Sequence, residues 1–361
     1  MSQYDVLDAL AAVNPVRVDE LDGSVKQRGE TLCDEILRQP RVERRQMPRR
    51  LVLAGAGFVA AGVLAATVVV WPTDAEPAVA ATPPMLAYRP DGAPAAEVLQ
   101  DLARRAERAP APAVGRLHYV RMQSFYLDTA SSGGDRASAL RIVREERWLA
   151  PDGSGRAVDT DGSAQIVNAD NAETMSAVTY PDGARRDERY GPGRLSAVAD
   201  LSSMSTDPRP LAGQLAGNRT SFGWSDTAPN GPDWYRRVVV ATGIAKQQAV
   251  PPALWAAMLR VLATTPGLTS QGTVTDREGR RAVAVSFDST HGGGRPSRTV
   301  LLFSPDTGAF LGEEHILITK LGDGPYDAYL KTRIPAVTTY HSLLAAGGVA
   351  TDDERLTGAG K

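Results

Sequence analysis

The longest apolar stretch of the chain runs from Leu51 to Trp71 and reads LVLAGAGFVAAGVLAATVVVW. Its 21 residues include no charged side chain. As an α-helix such a segment is ~30 Å long, which matches the hydrocarbon thickness of a bilayer. Apolar side chains would occupy every face of that helix, unlike those of a surface helix, which has a polar face. The pattern therefore predicts a single transmembrane helix over 51–71.

The charges on either side of this segment predict its orientation. Six arginines precede it within residues 38–50, whereas Asp74 and Glu76 follow it. Positively charged flanks are retained in the cytoplasm. We therefore expect residues 1–50 inside the cell, residues 72–361 outside it, and the chain in the cell membrane, with the lipid bilayer as a partner.

Other interpretations of the same stretch stay open at this point. Gly55 and Gly57 follow a short apolar run as in a dinucleotide-binding turn, but the helix after them would have no polar face. Arg49, Arg50 and the Ala78-Val79-Ala80 segment resemble a cleaved export signal, although the apolar run is longer than in ordinary signal peptides. A buried core helix is the third alternative, and the preceding arginines argue against it.

Residues 1–50 form an N-terminal arm in which acidic residues come first and arginines last. Four apolar residues recur in it at roughly helical spacing among acidic neighbours: Leu21, Val25, Leu32 and Ile36. This pattern predicts an acidic amphipathic helix that is too short to bury a core of its own. We interpret the four residues as a possible partner-binding stripe; the alternative is a solvated tail.

Beyond a Pro- and Ala-rich linker at 72–95, the apolar period changes along the chain. A short helix at 95–109 precedes alternating segments typical of strands, and Asp207-Pro208 resembles a capped helix start. A second helix is predicted at 251–265. Strands are predicted near 117–126, 140–149, 156–160, 176–180, 270–276, 281–288, 298–304, 309–318 and 334–340.

This order of elements predicts the fold class of the outer region. Strands, then helices, then strands joined by short turns are typical of an α+β fold, with helices packed on one side of an antiparallel sheet. We expect this extracytoplasmic α+β domain to span residues 96–350. Residues 351–361 would then form a disordered tail.

Composition and motifs exclude several kinds of functional site but identify none. The formal net charge of −2 gives no reason to expect direct binding to nucleic acid. One cysteine excludes multi-cysteine metal sites, and no metalloprotease, nucleophile-elbow or phosphate-loop motif occurs. We therefore predict no catalytic residue, no cofactor and no metal, so that the protein is not an enzyme.

The histidines and the paired acids were the remaining candidates for chemistry. His118, His291, His315 and His341 are far apart in the sequence, and nothing in it predicts that any two meet. The pairs Glu145-Glu146 and Glu313-Glu314 lie on predicted strands, where neighbouring side chains point to opposite faces. We therefore expect edge or solvent-facing charges rather than carboxylate dyads.

Several segments together resemble one known family. They are the Arg-rich flank with its single span, Arg144-Glu145-Glu146-Arg147-Trp148 before Pro151-Asp152-Gly153, Ser205-Thr206-Asp207-Pro208, Gly272-Thr273-Val274-Thr275-Asp276 and Phe303-Ser304-Pro305-Asp306-Thr307-Gly308. This combination resembles an actinobacterial family of single-pass membrane proteins associated with extracytoplasmic-function sigma factors. The outer part is more distantly similar to the half-barrels of lipoprotein carriers and of anti-sigma sensor domains.

The resemblance implies a curved, half-barrel-like antiparallel sheet with packed helices outside the membrane. It also implies a non-enzymatic, anti-sigma-like signalling protein whose arm contacts a sigma factor and whose outer domain is a sensor for an unknown ligand. The zinc-binding pattern of one His and two Cys found in many anti-sigma proteins is absent from the arm, which has only Cys33. The alternative function is a cell-envelope carrier or binding module for lipid or lipoprotein. A secreted hydrolase ranks last.

Overall fold

The computed structural model describes residues 82–132, 135–169, 172–178, 181–194, 198–218, 231–291, 296–319 and 334–357. Within these ranges, no helix is long and apolar enough to cross a membrane. The stretch at 51–71 and the stripe of Leu21, Val25, Leu32 and Ile36 lie outside the described residues, so both stay predictions.

A single antiparallel sheet forms the framework of the domain. Its strands are β1 (Leu117–Ser132), β2 (Asp135–Leu149), β3 (Gly155–Asp161), β4 (Gln165–Ala169), β5 (Arg185–Tyr190), β6 (Thr269–Thr275), β7 (Arg281–Ser289), β8 (Ser297–Phe303), β9 (Phe310–Leu317) and β10 (Ala336–Val349). They lie in the order β5-β3-β2-β1-β10-β9-β8-β7-β6, with β4 also paired to β2. The sheet curls without closing, and every pair of neighbours is antiparallel. The predicted α+β class is thus confirmed.

Among the described residues, five α-helices accompany the sheet: α1 (Ala95–Ala106), α2 (Ala172–Val178), α3 (Pro208–Gly217), α4 (Asp233–Gln247) and α5 (Pro252–Leu262). Four of them, α1, α3, α4 and α5, cover one face of the β7–β9 half through a shared apolar cluster. Leu259 of α5 and Ile244 of α4 are fully buried there, against Phe303 and Leu301 of β8. We call this side of the sheet the helix-covered face.

Local sequence signals explain where these helices begin and how they dock. The Asp207 side chain accepts a hydrogen bond from the Arg209 amide, and Pro208 opens α3, as the sequence predicts. The predicted turn at 305–308 ends in Gly308, whose φ of +67° favours glycine. A Cβ there would lie 2.3 Å from the carbonyl oxygen of Leu102, so glycine lets this turn approach α1.

Residues on both sides of 96–350 contribute to the packed unit. Tyr88 packs on the apolar cluster of the opposite face, and Arg89 forms a bridge to Thr273 of β6. At the other end, Trp148 donates its indole hydrogen bond to the carbonyl oxygen of Glu354, at 2.8 Å. The packed domain therefore includes chain that the sequence predicts as linker and tail.

One local prediction is wrong. The strand expected at 176–180 is, over its described part, the end of helix α2. The sequence indicates helical or irregular structure between the two runs of strands without giving bounds, and the structure has helix α4 there. Its neighbour α5 matches the helix predicted at 251–265 closely.

Candidate functional site

A row of polar side chains crosses the middle of the helix-covered face. Ser124 of β1 is paired with His341 of β10, and His341 is paired in turn with Glu313 of β9. The Ser124 hydroxyl lies 2.9 Å from Nδ1 of His341. Antiparallel register places these three side chains on one face, because directly opposed residues point the same way. The pairing joins positions 217 residues apart in the sequence.

Helix α4 completes this row with a buried ion pair. The Lys246 ammonium lies 2.5 Å from Oε1 of Glu313, and Nε2 of His315 lies 3.3 Å from the same oxygen. Burial alone would raise the pKa of Glu313, but Lys246 and His315 outweigh it and hold that pKa well below its usual range. The carboxylate is therefore kept charged beneath the helix.

His341 has the opposite property. Burial, reinforced by the nearby Lys246 charge, lowers the pKa of His341 to about 3, against the attraction of Glu313. The imidazole is consequently neutral at physiological pH. Ser124 is fully buried, so this serine–histidine contact lies inside the described domain.

A cavity of about 510 Å³ opens on the same face, over strands β1, β2, β3 and β5. Its polar lining consists of Asp128, Arg141, Glu145, Asp159, Arg186 and Glu188, with Tyr126 and Tyr190 beside them and Val143 and Ala157 as apolar wall. The volume falls in the range of small-molecule sites. Tyr126 connects the cavity to the polar row, because its ring lies edge-on to His341 at 5.6 Å between centroids.

Arginines and carboxylates alternate around this cavity. Arg141 contacts Asp128 and Asp161, both at 2.6 Å. Arg186 lies 3.6 Å from Asp159 and 3.3 Å from Asp161. Asp161 is fully buried, and both guanidinium groups pair with its carboxylate there.

Arg147, which is not part of the cavity lining, is the third arginine that pairs with two carboxylates. It lies 2.5 Å from Asp159 and 3.2 Å from Glu145. Burial opposes the charge of Arg147, but Glu145 and Asp159 outweigh it and raise the pKa of the guanidinium. The Tyr126 hydroxyl donates to Glu145 at 2.9 Å, and burial followed by the Glu145 charge raises the pKa of that tyrosine. These side chains therefore hold one another in position through ion pairs and hydrogen bonds.

The opposite face carries a second buried ion pair. Arg277 donates to Glu314 at 2.7 Å and lies over the Tyr340 ring, 5.4 Å from its centroid. Burial raises the pKa of Glu314 against the lowering effect of Arg277. Three buried atoms here have no hydrogen-bond partner among the described residues: the Tyr88 hydroxyl, Nη2 of Arg277 and Oε2 of Glu314.

The paired acids behave only partly as the sequence predicts. Glu313 and Glu314 do lie on opposite faces, one beside Lys246 and the other beside Arg277. The expectation that the pairs are edge or solvent-facing charges is wrong, since Glu145, Glu313 and Glu314 are all buried. Each is tolerated inside because a cation approaches it. For Glu145 this is Arg147 of the same strand, whereas Glu313 and Glu314 meet Lys246 and Arg277 from other elements.

Sequence reasoning also missed that histidines meet. His315 and His341 come together around Glu313, whereas His118 and His291 lie elsewhere in the fold. No local signal marks this meeting, since it depends on the β9–β10 register. Across the described ranges, no group of three or more His, Cys, Asp or Glu residues is arranged to hold a metal.

Comparisons with protein-family models and with curated proteins assign no family to the chain. No protein-family model matches the chain, and no curated protein matches it.

Proposed function

We propose that the chain is a membrane-anchored, non-enzymatic regulatory protein whose outer domain binds a small polar ligand. The observation that carries the proposal is the cavity of about 510 Å³ lined by preorganised charges and two tyrosines. Fixed polar groups in a concave site select a ligand's orientation and reduce the cost of binding it. The anchor in this proposal is the uncharged stretch at 51–71.

The regulatory half of the proposal concerns the arm. Its apolar stripe has no core to cover it, and its acidic neighbours suit the basic surface of a transcription factor. We propose a sigma factor as the cytoplasmic partner, which the family resemblance also supports. Ligand binding outside would then change the availability of that partner inside.

The carrier function is less well supported by the geometry. A lipid carrier needs an apolar space for acyl chains, and in the described domain the region between α5 and β8 is filled by Leu259, Met258 and Phe303. The cavity over β1–β3 and β5 is lined largely by charged groups, which acyl chains would desolvate without replacing their hydrogen bonds.

Filling the cavity tests the proposal. Ala157 forms part of its wall, and Ala157→Trp should occupy space that the ligand needs. The full chain would be purified in uncharged detergent from an actinobacterial host, and bound small molecules identified by native mass spectrometry. Ala96→Trp, at an exposed position of α1, is the control. We expect a bound small molecule on the wild type and on Ala96→Trp, but not on Ala157→Trp. Equal recovery from all three proteins would contradict a ligand site in this cavity.

A further inference from the structure

The charge balance of the cavity and its direct ion-pair partners is negative. Three guanidinium groups, those of Arg141, Arg147 and Arg186, face five carboxylates. The five are Asp128, Glu145, Asp159, Asp161 and Glu188. These groups leave a formal net charge of −2 in a concave, partly enclosed space, where a field is less screened than on an open surface.

The arginines are poorly placed to receive an anionic ligand. Arg141, Arg147 and Arg186 each lie within ion-pair distance of two carboxylates. An anion would have to displace those carboxylates and leave them unpaired, in part in buried positions. Such displacement opposes binding, because an uncompensated buried charge is strongly unfavourable.

Glu188, in contrast, is a carboxylate that a cationic ligand could reach. It lies on the edge strand β5 and is exposed. In the described part of the chain, its side chain accepts a hydrogen bond from the Tyr190 hydroxyl and has no arginine within ion-pair distance. The Glu188 carboxylate is thus the lining charge that a positively charged ligand can approach without breaking an ion pair.

The lining also distinguishes an organic cation from a metal ion. Calcium and magnesium require several oxygen ligands around one point, and here arginines separate the carboxylates. The tyrosine Tyr190 and the apolar wall of Val143 and Ala157 instead suit ammonium groups joined by methylene segments, whereas the Tyr126 ring already lies under the Arg141 guanidinium.

Resting on the ligand site proposed above, we infer that the cavity binds a small organic cation carrying ammonium or amine groups, with Glu188 as a principal anionic contact. The ligand's charge would complement the net −2 of the wall, and its methylene groups would lie against the apolar patch. A polyamine or a diamine has this chemistry.

Isothermal titration calorimetry on the full chain tests this inference. The chain would be held in uncharged detergent at 0.15 M salt and titrated with spermidine, citrate and glucose. We expect saturable binding of spermidine alone. Glu188→Gln should weaken it about 10- to 100-fold, since a hydrogen bond to a charged group is lost, and Glu188→Lys should abolish it. Glu97→Gln, which removes an exposed acid on α1, should bind as the wild type does.

The alternative outcomes separate the inference from the proposed function. Citrate or glucose binding that Ala157→Trp abolishes, without spermidine binding, would overturn the cation and leave the ligand site standing. Spermidine binding equal in the wild type and in Glu188→Gln would overturn the assignment to this carboxylate. If none of the three probes binds and no small molecule is recovered with the purified chain, both the inference and the proposed function fail.

Discussion

The buried pair of Lys246 and Glu313 gives the sharpest stability prediction, because its two members differ in exposure. The side chain of Glu313 is 5% exposed, whereas that of Lys246 is 24% exposed. Lys246→Met removes the cation and leaves the carboxylate without its main partner inside the domain. We expect a loss of about 3–5 kcal/mol in the free energy of unfolding.

The reverse substitution should be milder. Glu313→Gln keeps an acceptor for Lys246, and the ammonium can still reach water, so we expect a loss of about 1 kcal/mol. The double variant contains no buried charge at this position and should lie close to Glu313→Gln. The cycle therefore predicts a coupling free energy of about 3–5 kcal/mol between the two positions.

The pH dependence of Lys246→Met provides a check on the sign. With the cation gone, burial dominates and the pKa of Glu313 in the folded variant rises above its unfolded value. Stability from that group is then present at low pH and lost as the pH rises. In the wild type, the depressed pKa of Glu313 gives stability above pH ~4.5 that is lost on acidification through the folded pKa. The difference between the two proteins should narrow from pH 7 to pH 4.

Urea unfolding of the full chain in uncharged micelles, followed by tryptophan fluorescence, measures these quantities. Equal losses for Lys246→Met and Glu313→Gln would refute the argument from exposure. A gap between wild type and Lys246→Met that widens on acidification would refute the assignment of the cost to a buried carboxylate.

Three other predictions use the same unfolding assay or a pull-down. Leu259→Asp, at a fully buried position of α5, should lose more than about 4 kcal/mol, and a variant as stable as the wild type would contradict the core described above. His341 is neutral in the folded chain, so stability should fall by about 1.4 kcal/mol per pH unit per proton from pH ~6.5 towards pH ~3, and His341→Gln should flatten this slope; an unchanged slope would refute it. In the pull-down, Leu32→Asp with Ile36→Asp should abolish co-purification of a sigma factor while membrane insertion persists. If the double variant retains the partner, or if the wild-type chain recovers none, the partner-binding function of the arm is contradicted.

Local patterns account for the parts of the fold that the sequence predicts. Alternation of apolar residues predicts β7, and the cap at Asp207 with Pro208 predicts the start of α3. These signals act over a few residues and are insensitive to the rest of the chain. Strand β5, with the sequence RRDERY, is not predicted from the sequence. Both faces of this exposed edge strand carry charged residues, so the alternation of apolar and polar positions is absent.

The candidate site could not be predicted in the same way. Ser124 meets His341, and Lys246 meets Glu313, only after strands and helices distant in sequence have been placed. The cavity likewise depends on the β2–β3 and β3–β5 registers, which align Glu145 with Asp159 and Asp159 with Arg186. A shift of one residue in either register would turn these side chains to the other face.

Hydrogen–deuterium exchange on the full chain, with and without saturating spermidine, tests most directly whether this cavity is a cation site. A ligand held there covers the strands that carry Asp159 and Glu188 and reduces their local opening. The account predicts slower exchange in β3 and β5, with Ala157→Trp abolishing the change and β6 unaffected in every sample. Exchange in β3 and β5 that stays the same with spermidine, or slowing that persists in Ala157→Trp, would contradict it.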